Sequence, residues 1–362
     1  MTEPAPLRVG VVGCGTISAT YLGHAPEFGL EVTAVSDLDP GRARAAAERF
    51  GVRACASTRE LLGRDDVDIV LNLTIPAAHA EVAEAAIAAG KHVFLEKPLA
   101  VRREEGRRLL SLAGAKGVRI GVAPDTFLGA GVQTCRALID EGQIGTPLAG
   151  TAFMTGPGHE SWHPSPEFYY RPGGGPLFDM GPYYLTALVV LLGPVRAVGA
   201  MARSGYEERT IGSGPRQGTV FPVEVETHVA GTLEFTSGAI VTLIMSFDVW
   251  KASLPRFEIF GSAATLSGPD PNTFGGPVRL WRAGAGNWDE EPLRQSGWPQ
   301  TRGLGLRDMA GAIPGGGPHR ASAELGFHVL DVMTALLESA ELGSQVRLGS
   351  SCERPEPLAP MP

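Results

Sequence analysis

The chain predicts an α/β protein in which a Rossmann domain, built on a doubly wound parallel sheet, is followed by a second α/β domain. Three observations carry this. Short β-branched apolar runs alternate with helical stripes as far as about Gly121. A glycine-rich turn joins the first strand to the first helix. The length, 362 residues, corresponds to two domains at about 150 residues each. The expected limits are 1–123 for the Rossmann domain and 124–362 for the second domain.

Leu7 to Val12 is a short apolar run of the kind that makes a buried parallel strand, and it leads into Gly13-Cys14-Gly15-Thr16-Ile17-Ser18. In this GxGxxS turn Gly13 permits the tight bend and Gly15 lets the backbone approach a pyrophosphate. Small Ser18 stands where helix and strand pack closely. Phosphates would sit at Thr16 and Ile17, on the helix N-terminus. A second strand, Glu31–Ser36, ends at Asp37, 22 positions after Gly15, close to the spacing of a ribose-binding carboxylate. Asp37 favours NAD, because a carboxylate repels a 2′-phosphate. Arg42 and Arg44 keep NADP as the alternative, and either Asp37 or Asp39 could cap the following helix.

A third strand, Val67–Leu73, ends at Thr74-Ile75-Pro76, and His79, Val82, Ala83, Ala86 and Ile87 then make the stripe of a core-facing helix. The next strand, His92–Leu95, delivers Glu96-Lys97-Pro98 at its carboxyl end, the edge where ligands bind in such sheets. Thr74, Pro76, His79, Glu96 and Lys97 are therefore expected to join the glycine turn and Asp37 around the cofactor. Further on, Thr227–Phe235 and Ile240–Phe247 alternate with period two about a Thr236-Ser237-Gly238 turn, which predicts a hairpin. The apolar content of its second face, Ile240 and Ile244, predicts a homodimer or homotetramer. Helical periodicity returns from Ala323 to Leu342, and the chain closes on a proline-rich tail.

Composition narrows the partners. Hydrophobic residues at 43% supply a core despite 48 Gly and 29 Pro. A net charge of −8 without a Lys/Arg block lacks the footprint of nucleic-acid or anionic-membrane binding, so a small-molecule partner is expected. Met1 to Pro6 has no basic region leading into a signal-peptide core, and no stretch approaches about 18 consecutive apolar residues; a cytoplasmic enzyme is the expectation. Four scattered cysteines and the lack of an HExxH or Cys/His cluster suggest no metal.

With GxGxxS, Asp37 and Glu96-Lys97-Pro98 in order, the chain resembles the Gfo/Idh/MocA oxidoreductases. Gly173-Gly174-Gly175-Pro176-Leu177-Phe178-Asp179-Met180-Gly181-Pro182-Tyr183 is similar to that family's GGGxxxDxGx[HY] signature, and the likeness covers nearly the whole chain. The resemblance implies a C-terminal α/β domain with a large, open, mainly antiparallel sheet that often forms a subunit interface. It also implies an NAD(P)-dependent hydride transfer at a CH–OH group of a sugar, cyclitol or related polyol. A Tyr at 183, where many members carry a catalytic His, resembles the glucose–fructose oxidoreductase, dihydrodiol dehydrogenase and sugar ketoreductase branches and disfavours the inositol dehydrogenase pattern. A non-catalytic sensor of the same fold, and an enzyme that retains its cofactor, are the alternatives.

Such a transfer needs a group that takes or returns the hydroxyl proton. Tyr183 is the candidate, with the Lys97 ammonium lowering its pKa from the ordinary value near 10 and Asp179 orienting the pair or the substrate. Tyr184 is its rival; on a helix opened at Asp179, Tyr183 lies one turn on and Tyr184 is rotated away. Trp162 and His163 lie with His159 in a proline-rich aromatic loop before the triple glycine and are expected to contact the substrate, the role of His159 and of His228 being left open.

Overall fold

The computed structural model describes residues 7–361. Met1 to Pro6, where a leader would lie, and Pro362 at the end of the tail fall outside the described residues. The chain forms two compact units. The first contains the residues up to 128, then 295–327 and those from 358 onward; the second contains 129–294 and 328–357. The change of unit thus falls at 128/129, five residues beyond the expected limit, and the first unit takes back a segment that the sequence assigns to the second. The reason is packing. The helix Leu304–Ala312 buries Leu304, Leu306 and Met309. At Gly121 an added Cβ would come within 3.0 Å of Met309 Sδ and 2.5 Å of the Phe94 ring.

In the first unit, β1 (Arg8–Val12), β2 (Glu31–Ser36), β3 (Arg53–Ala54), β4 (Ile69–Asn72), β5 (His92–Leu95) and β6 (Ile120–Val122) form a parallel sheet in the order β3-β2-β1-β4-β5-β6. This is the doubly wound arrangement that the alternation predicts. The helices are α1 (Ser18–His24), α2 (Pro40–Phe50), α3 (Thr58–Leu62), α4 (His79–Ala88) and α5 (Arg103–Lys116). Val9, Val11, Val35, Ile69, Val70, Val93, Phe94 and Leu95 are at most 0% exposed, as strands covered on both faces require. The strand order reverses between β1 and β4, and the carboxyl ends there carry the glycine turn and Thr74.

The second unit opens with α6 (Ala130–Asp140) and β7 (Pro147–Thr155), and α7 (Gly175–Leu192) is its central helix. β8 (Val195–Arg203) follows. β9 (Glu208–Thr210) and β10 (Val220–Pro222) make a separate two-stranded ribbon. β11 (His228–Phe235), β12 (Ile240–Ser246), β13 (Phe257–Gly261), β14 (Ala264–Gly268), β15 (Val278–Arg282), β16 (Asp289–Glu291) and β17 (Val346–Arg347) complete a nine-stranded sheet. Its order is β16-β15-β14-β13-β7-β12-β11-β8-β17, antiparallel except between β7 and β12. The predicted hairpin is present, Leu233 pairing with Val241 and Val229 with Met245. Val241, Leu243, Met245 and Phe247 are buried, whereas Ile240 on the other face is 53% exposed.

α7 is the one helix among the described residues long and apolar enough to cross a bilayer, and 89% of it is buried inside the fold. It therefore serves as a core helix. The helix Ala323–Leu342 has the limits that its periodicity predicts.

Candidate functional site

The glycine turn is explained by what surrounds it. Gly13 has φ +99°, and a Cβ there would stand 2.7 Å from the Leu73 carbonyl, so only glycine fits. Its amide donates to Ser36 O at 2.8 Å, which holds the turn against the end of β2. At Gly15 an added Cβ would meet no protein atom within 4 Å. The space over Gly15 is thus set aside by the backbone and not by packing, and it suits the close approach of a pyrophosphate. Thr16 is exposed and Ile17 caps α1, whose Ser18 hydroxyl donates to Gly15 O at 2.7 Å. The Cys14 thiol in this turn is pushed up to about 11 by burial and by Asp37, so at neutral pH it is not a nucleophile.

Asp37 and Asp39 divide the work after β2. Asp39 caps α2 by accepting the Gly41 amide at 2.8 Å, whereas Asp37 accepts the amides of Cys14 at 2.7 Å and of Asp39 at 2.8 Å. Asp37 is therefore free of capping and fixed beside the glycine turn. Leu38 next to it is fully exposed, as is much of Ile75 after β4. The side-chain oxygen of buried Asn72 receives the Thr74 amide at 3.2 Å and its hydroxyl at 2.7 Å, which sets the loop that leads to half-buried Pro76.

His79 is 0% exposed, with Nδ1 2.7 Å from Pro98 O and Nε2 3.0 Å from Thr74 O. Burial lowers its pKa, and a neutral ring can donate to only one of those carbonyls. The ring thus ties the Thr74 loop to the segment after Lys97. Glu96 is likewise buried, 8% exposed. One oxygen accepts the Tyr21 phenol at 2.8 Å and lies 3.9 Å from Arg302; the other accepts the Lys97 amide at 3.2 Å. Burial first, and then Glu96, raises the Tyr21 pKa well above its ordinary value, so the phenol stays a donor. Glu96 thus anchors the strand end, and Lys97 beside it is half-buried. Asp125, which accepts the amides of Gly303 at 2.9 Å and Gly305 at 3.0 Å, fastens the returning segment that carries Arg302.

In the second unit α7 starts at Gly175, with Gly174 as its cap, so Asp179 stands inside the helix and does not cap it. Tyr183 follows one turn later on the same face and is 5% exposed. Tyr184 lies in the field of the Arg256–Asp270 ion pair, which is 3.3 Å long, and burial raises its phenol pKa. Asp179 Oδ2 is 2.9 Å from His159 Nε2, so the aromatic loop is pinned to α7. The His159 ring meets Tyr169 at 4.3 Å, Phe247 at 4.8 Å and Trp162 at 5.3 Å between centroids.

A second clamp sits beside the first. Arg209 bonds Glu160 at 2.7 Å and also Asp248, and Glu160 accepts the buried Tyr170 phenol. Both acids and Arg209 are between 10% and 13% exposed, so the pairs are screened little by solvent. Trp162 is 59% and Phe168 39% exposed, and His163 lies 5.4 Å from Trp162 and 5.5 Å from Phe168. The His163 pKa is lowered, by burial first and then by His159. His228 is spent across the hairpin on Ser246, at 2.8 Å.

Residues 7–123 match the family model described as "Oxidoreductase family, NAD-binding Rossmann fold", and residues 132–267 match that of the "GFO/IDH/MocA C-terminal domain". The chain belongs to the Gfo/Idh/MocA oxidoreductases. It is 38% identical over 205 residues to a dTDP-3,4-didehydro-2,6-dideoxy-alpha-D-glucose 3-reductase of Streptomyces violaceoruber, covering 54% of this chain and 58% of that one. It is 28% identical over 350 residues to a 1,5-anhydro-D-fructose reductase of Ensifer adhaerens, covering 94% and 98%. A levoglucosan dehydrogenase solved in complex with NADH shares the fold with a TM-score of 0.81 and 23% identity, covering 95% of this chain and 99% of that one.

In this Gfo/Idh/MocA oxidoreductase the sequence reasoning named the glycine turn, Asp37, Lys97, Asp179 and Tyr183 as expected site residues. It left His159 unassigned and did not find Tyr21, Arg302 or the Glu160–Arg209–Asp248 clamp. Arg302 and Arg209 lie at least 39 residues from their acids along the chain, so no local pattern signals them.

Proposed function

We propose that this oxidoreductase transfers a hydride between NAD and a secondary alcohol or ketone of a sugar, cyclitol or related polyol, with Lys97 and Tyr183 handling the hydroxyl proton. The observation that carries the reading is the α7 face, where Asp179 and Tyr183 stand one turn apart beside an aromatic loop pinned by His159. Exposed rings beside a few fixed polar groups suit a ligand with C–H faces and hydroxyl edges. The reductase names of its relatives support the same substrate class.

Bound NAD supplies the hydride acceptor and, reduced, the donor. The chain's own part is to hold the dinucleotide on Gly13, Gly15, Thr16 and Ile17, to take the adenosine ribose on Asp37, and to orient the reacting carbon. In the oxidation direction Tyr183 accepts the hydroxyl proton, and the Lys97 ammonium stabilises both the phenolate and the developing alkoxide. In reduction the proton returns from Tyr183 to the substrate oxygen. Asp179 orients the pair. Trp162 and His163 take the substrate from the loop side.

The test is a panel of neutral polyols and ketoses assayed with NAD and NADP, preceded by the absorbance of the purified protein near the reduced-nicotinamide band to detect retained cofactor. Tyr183→Phe is expected to lower turnover at least about 100-fold while NAD still binds. Unchanged turnover assigns the proton chemistry to another residue.

A further inference from the structure

His159 has no part in that scheme, yet it makes the best-defined contact of the aromatic loop. A carboxylate only accepts hydrogen bonds, so with the imidazole neutral Asp179 keeps the ring proton on Nε2, 2.9 Å from its Oδ2. The lone pair is then on Nδ1. No hydrogen bond to Nδ1 occurs among the described residues, and 17% of the side chain remains exposed. Packing against Tyr169 and Phe247 fixes the ring plane.

The charges around the loop point the same way. Arg209 is committed to Glu160 and Asp248, Arg216 to Glu167, and Arg171 stands 3.8 Å from Glu224. The nearest arginines are therefore neutralised by acids of the same unit. Beside them the rings of Trp162 and Phe168 offer exposed apolar surface.

We propose that His159 is a specificity residue whose Nδ1 accepts a hydroxyl hydrogen of a neutral, unmodified sugar or cyclitol ring lying against Trp162, and that it rejects ligands bearing a carboxylate or phosphate at that position. This rests on the polyol reading above and names the substrate class within it. An acceptor lone pair attracts an O–H donor and repels an anion, and a site built to hydrogen-bond a hydroxyl discriminates strongly against a group that cannot donate.

The experiment uses the full chain with NAD at pH 8.5. Side-chain 15N NMR of labelled histidine, with the His159 signals assigned by their loss in His159→Gln, should show Nε2 protonated and Nδ1 bare; the opposite tautomer overturns the proposal. Tryptophan fluorescence then measures binding of neutral hexoses and cyclitols, D-glucose and myo-inositol among them, against D-glucuronate and glucose 6-phosphate. Neutral ligands should bind and the anions should not. His159→Leu should weaken neutral binding about ten-fold. Asp179→Asn, whose amide can donate to Nε2 and so move the proton to Nδ1, should lose neutral affinity and gain glucuronate, a gain that mere structural damage would not produce. A neutral polyol oxidised with NAD whose affinity is unchanged in His159→Leu refutes the role of His159 and leaves the polyol reading standing. NAD binding with no neutral carbohydrate bound or oxidised sinks both.

Discussion

The Asp37 carboxylate accepts the Cys14 amide at 2.7 Å, which ties the carboxyl end of β2 to the glycine turn that follows β1. The residue proposed to choose the dinucleotide is thus also bound to the turn proposed to cradle its phosphates. Because Asp39 does the capping, Asp37 is free of that role.

Replacing Asp37 by Ala should accordingly weaken NAD about ten-fold and NADP much less, since NADP loses a repulsion together with the bond. Titration of both dinucleotides against wild type and variant checks this. A wild type that already prefers NADP would refute the assignment.

The two glycines of the turn should behave oppositely. Gly13→Ala forces a side chain onto the Leu73 carbonyl at a positive φ and should cost about 1–3 kcal/mol of stability, seen as a lower urea midpoint. Gly15→Ala meets no protein atom and should melt like wild type while losing NAD affinity. Equal stability loss in both would mean that the space over Gly15 is not kept for a ligand.

Acid sensitivity of the second unit should trace to His328. It is 0% exposed, its Nε2 accepts the Val195 amide at 2.9 Å, and burial lowers its pKa to about 4. A depressed folded-state value means that the stabilisation is fully present above the unfolded value near 6.5 and is lost as the pH falls through 4. The two values differ by enough to make that loss about 3 kcal/mol. Urea unfolding from pH 7 to pH 4 should show it in wild type and not in His328→Gln; parallel pH profiles would contradict it.

The open sheet face should be covered by another copy of the chain. Met201, Ala230, Ile244 and Phe153 form one cross-strand row on it, with Met201 82% exposed. A homodimer or homotetramer is expected by light scattering at micromolar concentration, and Ile244→Glu should shift it to monomer. A monomeric wild type would rule the interface out.

Local chemistry explains what could be read in advance. The strand–turn–helix at Gly13 to Ser18, the hairpin about Ser237 and the helix Ala323–Leu342 each follow from residues within one or two turns of one another, where periodicity and positive-φ glycines act. His79 shows the limit of such reading. Its position after Thr74 suggested a ligand contact, and no local pattern signals the two backbone carbonyls, 5 and 19 residues away, that flank its ring.

By itself the sequence determined the parallel sheet and the glycine turn, because each is set by motif and spacing along a short stretch of chain, and on the same basis it nominated Asp37, Lys97, Asp179 and Tyr183. Only the tertiary structure decided that 295–327 returns to the first unit to bring Arg302 toward Glu96, and that His159 meets Asp179 across 20 residues. Those pairings depend on which buried charges find partners once the core has closed, a condition imposed by desolvation that no local pattern records.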